Sequence, residues 1–260
     1  LMGLLMLVMA IGMLVRWKDT PVKWLLGMLK PVLLASVLLA GLGWLLMGDF
    51  NWAVLAVFFL AAWVGVAGVR DVLDKTRHKG LLRGISGLGR SYWAMQLAHA
   101  GFVVCAIGVV LVSNYSAERD LRLAPGESLE LGGYSFVFEG AKHYDGPNFT
   151  SDKGTVRVLE DGKEVAVLHP EKRFYTVQQM PMTEAGIDAG LTRDLYVALG
   201  EPLEDGAWAV RVHIKPFVRW LWFGGLMMGL GGVLAASDRR YRSKVRSSVR
   251  EALGLAGAKA

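Results

Sequence analysis

The sequence predicts a polytopic α-helical membrane protein of about five transmembrane helices, interrupted by one antiparallel β domain outside the membrane. Three observations carry that prediction. The 260 residues are 53% hydrophobic, and the apolar residues gather in runs approaching the roughly 20 needed to cross a hydrocarbon core about 30 Å thick. A polar insert at residues 114–216 has the size of one domain and a strand-like alternation. The basic residues sit in alternate connections between the runs rather than evenly along the chain.

The spans read in order as follows. Four apolar runs stand out, at residues 31–48, 52–69, 92–112 and 217–236, and a shorter fifth occupies residues 1–15. That first run has no basic stretch before it, and Arg16, Trp17 and Lys18 follow it where a signal peptidase site needs small residues. It reads as the tail of a helix that begins upstream, in the C-terminal part of a longer protein. Basic residues cluster at 16–30, 70–90 and 239–259, so the positive-inside rule puts all three segments in the cytoplasm. The GDFN turn (48–51) and the polar insert then lie outside, and the topology closes without conflict. The sequence thus divides into spans and cytoplasmic loops at 1–113, a β-rich domain at 114–216, a last span at 217–237 and a basic tail at 238–260. Trp52, Trp93, Trp220 and Trp222 fall near span ends, as interfacial anchors do. A net charge of +6 distributed in this way speaks for membrane topology, not for nucleic acid.

In the insert, Tyr134, Phe136 and Phe138 alternate with Ser135, Val137 and Glu139. Trp208, Val210, Val212 and Ile214 alternate with Ala209, Arg211, His213 and Lys215. Turn chemistry marks APGES (124–128), LGGY (131–134), YDGPN (144–148) and EDGKE (160–164). The expectation is a small antiparallel sandwich or barrel, with a short helix or loop at 182–189. It contains no GxSxG, no HExxH and no phosphate-binding glycine loop.

Cys105, the single cysteine, forms no internal disulfide and reads as a small apolar residue of its span. His78, His143, His169 and His213 are scattered among loops and strand faces with no ligand spacing. His99 differs, because an imidazole inside a hydrocarbon span is costly and marks a functional position. Its helical face carries Met95, Gln96, Phe102 and Val103, with Tyr92 two turns back, and Ala98 and Gly101 leave room for a second helix or a flat macrocycle. Three readings stay open on these residues: a hydrogen bond between helices, an axial ligand to haem iron, or a proton relay. The last finds no Asp or Glu within the spans to continue it.

Three long segments complete the reading: HAGFVVCAIGVVLVSNYSAERD (99–120), EKRFYTVQQMPMTEAGIDAGLTRDLYVALGE (171–201) and GAWAVRVHIKPFVRWLWFGGLMMGLGG (206–232). With them the chain, from about residue 1 to 242, resembles the C-terminal portion of the CcmF-type cytochrome c biogenesis proteins, the haem lyase subunit family. The resemblance implies a protein of the bacterial inner membrane with a periplasmic β domain, taking part in covalent attachment of haem to apocytochrome c. It implies as partners a haem chaperone of the pathway, a thiol-handling subunit that presents the apocytochrome, and apocytochrome c itself. It further implies a b-type haem held between two transmembrane histidines and proposed to reduce incoming haem iron. His99 matches the C-terminal of those histidines; the other, the tryptophan-rich haem-handling segment and its flanking histidines are expected upstream of this sequence. The chain by itself is therefore expected to be inactive.

Two motifs remain. Thr183, Glu184, Asp188, Arg193 and Asp194 are expected to form a charged network folding the outer domain onto the helices, and GGLMMGLGG in the last span reads as a packing face. A haem or solute transporter and a non-catalytic assembly scaffold are the competing classes. The spans show neither an internal proline nor a mid-span carboxylate, which weighs against transport.

Overall fold

The computed structural model describes residues 2–15, 19–47, 51–78, 80–177 and 179–238. Arg16, Trp17 and Lys18, the first three residues of the GDFN turn and the basic tail at 239–259 lie outside the described residues. The chain divides into two compact units, a helical one drawn from residues 1–110 and from 220 onward, and a β one at 111–219.

The helices are α1 (Met2–Leu14), α2 (Val22–Met47), α3 (Trp52–Thr76), α4 (Leu81–Ser86), α5 (Arg90–Tyr115) and α6 (Val218–Ala236). Among the described residues α2, α3, α5 and α6 are long and apolar enough to cross a membrane, and α1 is a shorter apolar helix of 13 residues. With the β unit they make an integral membrane protein with an inserted β domain.

Two helices outrun their apolar stretches. α2 starts nine residues before Pro31, so the chain does carry a proline inside a span, contrary to the sequence reading. Its flanking Leu, Met and Lys residues are good helix formers, and they carry the helix past the one backbone bond that proline forgoes. α3 continues to Thr76 through the basic segment read as a loop, which brings Asp71 into the helix. Its start is fixed by Asn51, whose side chain accepts from Ala53 N at 2.8 Å and Val54 N at 3.3 Å.

α1 packs on α3, where Trp63 Nε1 donates to Leu7 O at 3.2 Å. Met6, Ala10 and Met13 of α1, Met28 and Val32 of α2, Ala61, Val64 and Ala67 of α3 and Ala106 of α5 form one buried cluster.

The β unit is a sandwich. One sheet has the order β1 (Ala117–Leu123), β10 (Trp208–Pro216), β9 (Arg193–Pro202) and β8 (Gly186–Ala189). The other has the order β2 (Ser128–Leu131), β3 (Tyr134–Asp145), β4 (Phe149–Glu160), β6 (Glu171–Tyr175) and β7 (Met180–Glu184), with β5 (Lys163–Leu168) also paired to β4. All the pairings are antiparallel.

The alternation read from the sequence places Phe136, Phe138, Trp208, Val210, Val212 and Ile214 in the core, beside Val156, Val158, Leu195 and Val197. The helix or loop expected at 182–189 is instead the end of β7 and all of β8. Those residues are held extended by register with β6 and β9, Met182 opposite Arg173 and Asp188 opposite Leu195. A one-turn 3-10 helix lies at Glu204–Gly206.

Candidate functional site

The site is built on α5. His99 is half-buried, and its Nδ1 lies 3.1 Å from Met13 Sδ on α1. A thioether is a weak acceptor, so this contact suits an imidazole that is neutral, with its proton on Nδ1. Nε2 makes no hydrogen bond among the described residues. Met13 is the side chain in contact with this ring nitrogen.

The space left by Ala98 and Gly101 belongs to α6. A Cβ on Gly101 would stand 2.6 Å from Gly224 O, and one on Gly231 would stand 2.8 Å from Ala94 O and 3.0 Å from the Ala98 side chain. A helix, rather than a flat macrocycle, fills that face. Ala94, Ala98, Gly101, Cys105 and Gly108 form a seam of small residues that lets the two backbones approach. Cys105 is half-buried in this seam, in keeping with a packing role. Ser91 ties the pair at one end, its N and Oγ donating to Asp238 Oδ2 at 3.3 and 2.5 Å.

One turn and two turns before His99, Gln96 and Tyr92 join a polar network that the sequence reading missed. Tyr92 Oη donates to Asp71 Oδ2 at 2.8 Å, Gln96 Nε2 donates to Tyr92 Oη at 2.8 Å and reaches Gly68 O at 3.4 Å, and Lys75 pairs with Asp71. Asp71 is buried. It escaped notice because it follows Arg70, where the apolar run stops; the Asp71–Lys75 spacing of four was the available signal. No signal in the sequence pointed to Met13.

In the β unit the five residues expected to form one network separate into two groups. Arg193 pairs with Asp188 and lies over the Tyr134 ring, its guanidinium carbon 5.4 Å from the centroid. Asp194 Oδ1 accepts from Gly190 N at 3.1 Å. Thr183 instead donates to Leu199 O at 3.4 Å, and Glu184 lies 3.7 Å from Arg173.

The remaining histidines stay apart from one another, and no cluster able to hold a metal ion occurs among the described residues. His143 sits between Asp152 and Asp145. His213 packs edge-on to the Tyr196 ring. His78 and His169 are exposed. An open cavity of about 410 Å³ on the outer side of β9 and β10 includes Asp120, Tyr196 and Arg211, but Arg211 is held by Asp120 at 2.7 and 2.6 Å.

Comparison with known proteins decides the family. Residues 114–216 match the family described as the CcmF C-terminal beta-sandwich. Over 99% of its length the chain is 75% identical to the cytochrome c-type biogenesis protein CcmF of Pseudomonas fluorescens and 72% identical to that of Pseudomonas aeruginosa. The chain belongs to the CcmF family. It is 42% identical to the CcmF of Escherichia coli over 92% of its length. A solved structure, "Cytochrome c Heme Lyase CcmF", superposes with a TM-score of 0.71 at 18% identity, over 91% of this chain and 38% of that one, and shares its fold. The chain spans 39% of the length of the two Pseudomonas CcmF proteins.

Proposed function

We propose that this chain serves the cytochrome c maturation system, as part of the membrane protein that attaches haem covalently to apocytochrome c. The observation that carries the reading is the 75% identity, over 99% of the chain, to a protein named for cytochrome c-type biogenesis. The finer assignments rest on this reading. The protein lies in the bacterial inner membrane, with residues 114–216 periplasmic and the C-terminus cytoplasmic, a placement that the charge distribution supports. Its partners are the haem chaperone of the pathway, the subunit that presents reduced apocytochrome, and apocytochrome c.

In this reading His99 would hold the iron of a haem b, with a second ligand expected from sequence upstream. The chain's residues fit that role. Met13 takes the proton-bearing side of the imidazole, which leaves the Nε2 lone pair to bind iron. The neutral imidazole is the form that ligates. A haem bound there would supply one-electron redox chemistry for reducing incoming haem iron. Gln96, Tyr92 and Asp71 extend the polar face of α5 and α3 away from His99.

The test is a reduced-minus-oxidised absorption spectrum of the detergent-purified full-length protein beside His99→Ala and Met13→Leu. Loss of the b-type bands in His99→Ala, with the fold retained, is expected. Met13→Leu is expected to keep the haem and shift its midpoint potential. Identical bands in the parent and His99→Ala would reduce the imidazole to a hydrogen bond between helices.

A further inference from the structure

The loop joining β8 to β9 presents Leu191 with 76% of its surface exposed, and Ile187 at the end of the same hairpin is 55% exposed. An isolated exposed leucine needs no explanation. This one sits in a loop fixed by several polar contacts. Gly190 N donates to Arg193 O at 2.9 Å and to Asp194 Oδ1 at 3.1 Å. Arg193 pairs with Asp188 and reaches Tyr134 Oη at 3.3 Å. The charged block that the sequence singled out thus braces the loop in one conformation with its leucine outward.

The loop's position follows from one further bond. Phe217 N donates to Thr192 O at 3.0 Å, so the residue after Leu191 is fastened to the residue immediately before α6. α6 has 19 residues, which at 1.5 Å each make about 28 Å. That is barely the thickness of the hydrocarbon core, about 30 Å. With no helix to spare, α6 spans only if Val218 stands at the hydrocarbon boundary. Thr192, bonded to its neighbour, stands at the same depth. Exposed Arg219 and Trp222 supply the cation and the aromatic ring that flank such a boundary.

We propose that the β8–β9 loop is a membrane-interface anchor, with Leu191 inserted among the lipid headgroups and the first acyl carbons. The anchor acts as a second tether beside the covalent ones at α5 and α6. It gives a physical role to Asp188, Arg193 and Asp194, and it is independent of the haem reading.

The test labels the full-length protein at Leu191→Cys with an environment-sensitive fluorophore, in a background with Cys105 and any other native cysteine replaced by alanine. The protein is reconstituted in phosphatidylcholine vesicles containing phosphatidylglycerol. The control is Leu203→Cys, exposed at the opposite end of β9, on the order of 30 Å away along the strand. Nitroxide-bearing lipid is expected to quench the label at 191 severalfold more than the label at 203, and aqueous iodide to show the reverse order. Iodide quenching at 191 as strong as at 203 would place the loop in water and overturn the proposal. So would protection from both quenchers, which would mean that protein covers the leucine.

Discussion

The helical unit and the sandwich are built inside out with respect to one another. In the sandwich the buried side chains are apolar, from Leu123 and Phe136 to Ile214, with Ser151 as the polar exception. Its charges stand outside in pairs, Arg157 between Glu139 and Glu164, Arg211 between Glu118 and Asp120. In the helical unit many large apolar side chains point outward, Leu46 at 80% and Trp222 at 78% exposure. Polar groups lie buried there: Ser36 donates to Val32 O, Thr76 donates to Val72 O, and Asp71 joins Tyr92 and Lys75. The difference is one of solvent. Water drives apolar groups into the sandwich core. Lipid offers no such drive between helices, which are held by close packing and satisfied hydrogen bonds instead.

The contrast is broken most decisively by truncating large apolar residues in each unit. Phe138→Ala empties a fully buried position in the sandwich and is expected to cost about 3–5 kcal/mol. Leu38→Ala, on the exposed side of α2, is expected to change stability by less than about 0.5 kcal/mol. Thermal unfolding of the detergent-solubilised protein by circular dichroism measures both. Comparable losses would mean that α2 turns Leu38 toward protein rather than lipid.

The reverse substitution sharpens the comparison from the helical side. A side chain on Gly224 would meet Cys105 N at 2.6 Å, whereas Gly225 has nothing within 4 Å of such an atom. Gly224→Leu forces α5 and α6 apart and is expected to cost about 1–3 kcal/mol. Gly225→Leu is expected to be neutral in the same melting experiment. Equal effects would show that the seam of small residues does not set the approach of the two helices.

The two units were also unequally legible in the sequence. Strand alternation identified the sandwich core because period two and water on one face leave a direct mark at Phe136, Phe138 and Val210 through Ile214. Spans were visible as apolar runs, but their ends were not. Pro31 and Asp71 both lie inside helices, because hydropathy marks where lipid begins, not where backbone hydrogen bonding ends. His99 was legible as an anomaly in its span. Its partner Met13, 86 residues away, was not, since a methionine in an apolar helix carries no pattern. The segment at 182–189 misled for a related reason. β7 and β8 are short strands fixed by register with β6 and β9, and neither is long enough to show a period of its own.

The smallest effect probes the gradient from surface to interior within the sandwich, through two histidines. His143 lies in solvent, and its hydrogen bond with Asp152, aided by the nearby Asp145, raises its pKa above the ordinary value. Burial lowers that of His213, and Glu118, 3.5 Å away, opposes the shift without reversing it. Linkage gives the two opposite signs. The stabilisation from His143 is fully present below its unfolded pKa and is lost as the pH rises through its raised folded value. His213 resists protonation in the folded state, so it costs stability as the pH falls from its ordinary pKa through the lowered one. Ring-nitrogen NMR titration of the detergent-solubilised protein is expected to give His143 a midpoint above that of His213. Asp152→Asn should bring the His143 midpoint down while leaving His213 where it was. Coincident midpoints would mean that both rings see the same solvent, and that β10 does not bury its outer face against Tyr196.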